Sequence, residues 1–253
     1  WLYATGYAAE PFPGEFSTDP GSSLAKATIL ALTLPVLLLA RDEFSKSGPF
    51  SVLLMSSLYG VCLMLSADSF LTLFLGLEML SLPVYVLVLL AYRHSSSLEA
   101  ALKYLVLGGA ATATFLLGVS LLYGGTATLA LSGFTVAMHA SDPMATAAVV
   151  LILIAFFLKA AIVPFHAWAP DAYEGATVPV TAYMATVVKA GILLAVLRIV
   201  GEAPLPVAVV GLVAVLPLIS IVWGNLAAMR QKSFRRMIAY SSIAHAGYLF
   251  FAF

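Results

Sequence analysis

Three ionisable residues stand inside long apolar runs: Glu78 in FLGLEMLSLP, Lys159 in FFLKAAIVPF and Lys189 in TVVKAG. One ionised group at the centre of a bilayer costs about 2.5–3.5 kcal/mol on insertion scales, so three unpaired ones impose roughly 8–10 kcal/mol. That is about the whole stability of many proteins. All three are therefore expected to face the interior of a helix bundle, near water or one another. Burial disfavours the charged form of a side chain, and a nearby opposite charge restores it. A Glu78–Lys159 contact would hold the lysine protonated, and separating the two would let the proton go. Such a pair is the physical basis of a proton relay. The alternative is a static ion pair that joins two helices. Two lysines and one glutamate leave one cation without an obvious partner, which favours the relay.

Two prolines share a spacing with these charges. Pro83 follows Glu78 by five residues, and Pro164 follows Lys159 by five. A proline removes the bond to the carbonyl four residues earlier, so the carbonyls freed are those of Met79 and Ala160, each next to the charge. Broken helices at membrane depth are tolerated where they line a cavity or pack in protein. Pro83 and Pro164 are therefore expected to break their helices. The alternative is a simple kink at each.

Weaker candidates follow. Lys103 lies four residues after Glu99, a helix-stabilising spacing, and its long stem suits snorkelling to the surface as well as a relay. His245 changes charge near neutral pH, but a hydrogen-bonded, helix-packing role suits it better. His166, with Trp168 close by, suits either a point where protons enter or an interface.

The elements that must position these residues follow from composition. The chain has 253 residues, 62% hydrophobic and only 9% charged, with a mean hydropathy of +1.04. Soluble domains carry roughly 25% charged residues, so a water-soluble globule, a disordered chain and a nucleic-acid binder are excluded. Lysine plus arginine equals aspartate plus glutamate at 12 each, so no net field draws in polyanions. Cys62 is the single cysteine. It can form no internal disulfide, and one thiolate cannot hold an iron–sulfur cluster. No nucleotide-binding glycine motif is present. No nucleophile elbow or recognisable metal-ligand spacing frames the histidines.

A spanning helix needs about 20 mostly apolar residues. Eight such stretches are expected: 22–40, 50–66, 69–91, 98–123, 144–164, 177–199, 205–223 and 237 to the end. None alternates with period two, so a β-barrel is not expected. The fold class is thus an all-α, multi-pass membrane protein. Residues 1–21, with three prolines and three acids, are expected to be an exposed loop. They lack the basic start and apolar core of a signal peptide. Eight crossings collect Arg41, Lys46, Arg93, Arg230, Lys232, Arg235 and Arg236 on one side, against Lys26 and Arg198 on the other. Seven against two places the first side in the cytoplasm and the N-terminal loop opposite.

At these residues the chain resembles the subunit N (NuoN) family of bacterial complex I, the proton-pumping NADH:quinone oxidoreductase. The resemblance is carried by FLGLEMLSLPVYVLV, SLEAALKYLVLGGAATA, FFLKAAIVPFHAWAPDAYEGATVPVTAYMATVVKAG and RRMIAYSSIAHAGYL. It implies an antiporter-like fold with two inverted five-helix repeats. Residues 22–49 would then be a leading helix and cytoplasmic loop, 50–200 one complete repeat, and 201–253 the start of a second, truncated one. It implies that Glu78 is the ion-pair partner, Lys159 the proton-binding lysine and Lys189 the connecting relay residue. It implies a subunit without redox catalysis of its own in a bacterial inner membrane. NADH, FMN, iron–sulfur clusters and quinone would sit in other subunits, and other antiporter-like and small membrane subunits and the lipid bilayer would be its partners. Further helices are expected at both ends, and the non-methionine Trp1 agrees with a fragment. Two readings compete: a subunit of a multi-subunit cation/proton antiporter, and a purely structural membrane subunit.

Overall fold

The computed structural model describes residues 2–42, 48–91, 95–201 and 205–252. Lys46 and Arg93, counted above among the basic loop residues, lie outside them. Two strands, β1 (Ala9–Phe12) and β2 (Phe16–Thr18), come first and pair antiparallel. The expected plain loop is therefore a hairpin, for two reasons. Gly14 takes the left-handed conformation (φ 77°) that the turn requires. The hairpin is also tied down by tertiary bonds: Ser17 N–H donates to Ser66 O, and Thr72 Oγ1 donates to Glu15 Oε2 over 2.8 Å.

Ten helices follow among the described residues: α1 (Pro20–Leu39), α2 (Gly48–Met64), α3 (Phe70–Leu89), α4 (Ser95–Thr126), α5 (Ser132–His139), α6 (Pro143–Ala160), α7 (Trp168–Gly175), α8 (Val178–Val200), α9 (Val207–Met229) and α10 (Phe234–Phe251). Three of the starts follow capping chemistry. Asp19 accepts from Ser22 N–H at α1, Ser69 from Thr72 N–H at α3, and Asp142 from Met144 and Ala145 N–H at α6.

Among the described residues six helices are long and apolar enough to cross a membrane: α1, α3, α4, α6, α8 and α9. Helix α2 is apolar but has 17 residues. Helix α10 has 18 and carries Arg235 and Arg236 in its first turn. The eight expected stretches thus become six full-length spans and two shorter or less apolar helices. The chain is multi-pass and all-α apart from its terminal hairpin.

Burial ranks the spans. More than half of α3, α6 and α8 is buried inside the bundle, against about a quarter of α1 and α9. The buried three are the helices that carry Glu78, Lys159 and Lys189. Close approach of α2 to α3 depends on glycine: a side-chain carbon on Gly60 would strike the backbone of Met79 and Leu80.

The two prolines behave differently from the expectation. Helix α3 runs unbroken through Pro83, as α1 and α9 run through Pro35 and Pro217. One missing donor removes one hydrogen bond, and a packed helix tolerates it. At the second site the helix does break, but before the proline. Helix α6 ends at Ala160, and Ala161 turns left-handed at φ 62°. Helix α7 begins at Trp168 after a non-helical stretch, so the span expected to reach Pro164 stops four residues short of it.

Candidate functional site

Helices α3, α4 and α6 bring one polar cluster into the apolar interior. Lys159 Nζ lies 3.5 Å from Glu78 Oε1 and donates to Ser81 Oγ over 2.9 Å. Thr112 on α4 donates to the same Glu78 oxygen over 2.6 Å. The lysine side chain is 6% exposed and the glutamate 22%. The 3.5 Å separation exceeds the 2.7–2.9 Å of a tight charge-assisted bond. The pair is therefore in contact without being locked.

Local folding explains these positions. Glu78 and Ser81 are three residues apart on α3, hence on one face. Lys159 occupies the last turn of α6, where unbonded carbonyls and the helix dipole favour a cation. Ile162 N–H bonds to Phe157 O, and Trp168 Nε1–H donates to Leu158 O over 2.9 Å, so the broken end is capped by its own continuation. A void of about 10 Å³ lies beside the pair, walled by Phe74, Leu77, Ala111, Phe115, Ala155 and Phe156. That is roughly the space one water needs.

Lys189 forms a second, separate site. It is 4% exposed, and its Nζ donates to Ser242 O and Ser242 Oγ on α10, each over 2.6 Å. Tyr173 lies beside it, with its ring centroid 5.9 Å from the ammonium and its hydroxyl 3.3 Å from Ser242 Oγ. Among the described residues no carboxylate lies within ion-pair distance of Lys189. It follows directly on a five-residue π-helical stretch, Met184–Val188, a local irregularity common at functional sites.

Lys103 is not in either site. It is 44% exposed at one end of the bundle, where it pairs with Glu99 and with Asp171, each at 2.7 Å. Asp171 and Glu174 also bind Arg236, at 2.8 and 2.9 Å, around a cleft of about 300 Å³. His245 is exposed, with Nδ1 3.5 Å from Ser241 Oγ, and is not brought to either lysine. His166 sits in the break between α6 and α7, with its ring 6.3 Å from Tyr240 and 6.5 Å from Trp223.

Residue types alone did not point to Ser81, Thr112 or Ser242, because hydroxyls are frequent in this chain. The Glu78-x-x-Ser81 spacing was the one available signal. Arg198 was also missed. At the other end of the bundle it binds Asp19 (2.9 Å), Asp68 (2.8 Å), Ser17 Oγ and Ala67 O. Partial burial alone would lift the Asp19 carboxyl. The Ser22 N–H and the Arg198 guanidinium outweigh it and hold the group below the usual carboxylate range.

Known proteins resemble this chain in sequence and fold. NADH-quinone oxidoreductase subunit N of Pelobacter propionicus is 42% identical over 98% of this chain and 53% of its own length. A chain of respiratory complex I from Thermus thermophilus with bound aureothin is 39% identical, superposes with a TM-score of 0.80, and matches 93% of this chain and 51% of its own. A chain of the Mrp complex from Dietzia is 21% identical at a TM-score of 0.78, covering 99% of this chain and 49% of its own, a likeness of fold. The chain spans about half the length of the curated relatives it matches. The family model described as NADH:quinone oxidoreductase/Mrp antiporter, TM, matches residues 67–253, and the chain belongs to that family.

Proposed function

We propose that this chain is part of a proton-translocating membrane-arm subunit of an NADH:quinone oxidoreductase. The observation that carries the reading is the Glu78–Lys159 contact at a helix break, 3.5 Å long, with the lysine buried and the glutamate half-buried. While the carboxylate stays close, Coulomb attraction keeps the ammonium charged in a poorly polarisable site. Widening the gap removes that attraction, and the proton leaves by the nearest hydrogen-bonding groups. Lys159 is the proton-binding residue, Glu78 its ion-pair partner, and Lys189 the next acceptor. Quinone reduction elsewhere in the complex supplies the electrostatic change that moves the pair. NADH, FMN, iron–sulfur clusters and quinone belong to other subunits in this reading, and other membrane-arm subunits are its partners. Residues 50–200 form one five-helix repeat and 201–253 the start of the next. In this reading the end bearing Lys103, Asp171 and Arg236 is cytoplasmic and the hairpin end lies opposite, which the excess of basic loop residues supports.

The relatives above support the oxidoreductase over a cation/proton antiporter, because 39–42% identity exceeds the 21% shared with the Mrp chain. Lys159→Ala and Glu78→Ala in the assembled complex are expected to leave assembly intact and to lower coupled NADH oxidation and pumping strongly. Normal pumping by both assembled variants would sink the proposal. Co-purification with a quinone-reducing peripheral arm separates it from the antiporter reading.

A further inference from the structure

Two fully buried hydroxyls join three helices at a point that the ion pair does not use. They are Ser57 on α2 and Tyr183 on α8. Ser57 Oγ donates to Leu80 O on α3 over 2.9 Å and lies 3.0 Å from the Tyr183 hydroxyl. A serine has one hydrogen and a carbonyl only accepts, so Tyr183 donates to Ser57 and Ser57 to Leu80. Close packing keeps α2 wedged between the other two helices. Gly60, on the same face of α2 as Ser57, rests on the backbone of Met79 and Leu80. On the other side, a side-chain carbon on Gly191 of α8 would come within 2.8 Å of Val61 Cγ1.

This chain of bonds is no proton path, because it ends on an amide carbonyl that has no hydrogen to pass on. Its two ends instead touch the segments that position the two lysines. The Leu80 carbonyl shares one rigid peptide plane with the nitrogen of Ser81, and Ser81 Oγ accepts from Lys159 Nζ over 2.9 Å. Tyr183 immediately precedes the π-helical stretch Met184–Val188 that leads into Lys189. Stability alone does not call for these hydroxyls. Replacing both partners of a buried hydrogen bond by apolar groups of the same shape can be nearly neutral.

We propose that Tyr183 and Ser57 are positioning residues for the Lys159 site: they hold the Leu80–Ser81 peptide, and with it the hydroxyl that accepts from Lys159, in register with the helix that carries Lys189. The proposal rests on the relay reading above. A shift of α8 at its π-helical stretch draws on Tyr183, turns the Leu80–Ser81 peptide and changes how closely Ser81 meets the ammonium. A change at Lys189 thus reaches Lys159 through α2 without a proton crossing between them.

The test is the double variant Ser57→Ala/Tyr183→Phe in the assembled complex, reconstituted in vesicles, beside Ser81→Ala and Lys159→Ala. It removes both hydroxyls together and orphans neither, so assembly is expected to match wild type. Pumping per assembled complex is expected to fall about fivefold, the equivalent of one such hydrogen bond. The pH profile of pumping is expected to move in the same direction as in Ser81→Ala. Because the pair acts through Ser81, it is expected to add nothing in the Ser81→Ala background, where independent sites add. A further loss of that size in the Ser81→Ala background, or reduced assembly with normal pumping per complex, marks a merely structural role and overturns the proposal. Wild-type pumping in the double variant with loss in Lys159→Ala overturns the positioning link alone. Normal pumping in Lys159→Ala overturns the relay and the link together.

Discussion

Lys159 and Thr112 address the same carboxylate oxygen, Glu78 Oε1, from two different helices, at 3.5 and 2.6 Å. The threonine takes the close position and the lysine the looser one. A carboxylate anchored by a neutral donor stays in place when the cation loses its proton. Hydrogen bonds to a charged group contribute about 1.5–3 kcal/mol, so the anchor is stronger than an ordinary packing contact.

Thr112→Val keeps the side-chain shape and removes the donor. Pumping by the assembled complex is expected to fall roughly tenfold, by the same magnitude, and less than in Lys159→Ala. Equal activity of Thr112→Val and the parent in vesicle pumping assays would show that the anchor has no role.

Lys103→Ala is expected to change little. The residue is 44% exposed, and an ion pair in water is screened and contributes little. Pumping within about twofold of wild type is the expected measurement. A loss matching that of Lys159→Ala would put Lys103 in the proton path after all.

Gly60→Leu places a bulky side chain where α2 meets the backbone of Met79 and Leu80. Overpacking of this kind costs about 1–3 kcal/mol or more, and it displaces α3 just beside Glu78. Lower yield of assembled complex on native gels is expected. A full yield would mean that the two helices separate without cost.

Acid should loosen the hairpin end. The Asp19 carboxyl is held below its ordinary value chiefly against its own burial, by Ser22 N–H and Arg198. A depressed carboxylate contributes stability that is present above the unfolded value of about 3.9 and disappears as pH falls through the folded value. Cleavage of residues 1–18 by an acid-active protease is therefore expected to increase as pH drops below about 4. Asp19→Asn should show the faster cleavage already at neutral pH, tested with a neutral protease, and its response to acid should be flatter.

Sequence and structure divide the account of this protein along physical lines. Composition determined the solvent: a chain with 9% charged residues has to place its apolar surface in lipid. The cost of charge in lipid then singled out Glu78, Lys159 and Lys189 before any coordinates were considered, and all three lie on the most buried spans. The hydroxyl partners were not legible, because serine and threonine cross the membrane cheaply and carry no such penalty. Ser81, Thr112 and Ser242 were identified only by which helices meet. The break beside Lys159 was expected from Pro164, yet the turn at Ala161 sets its place. Pro83 has the same spacing from Glu78 and breaks nothing. Local sequence offers a proline or a charge the chance to act. Packing decides whether it does, because a missing backbone bond or a buried cation is stable only where another helix supplies its partner.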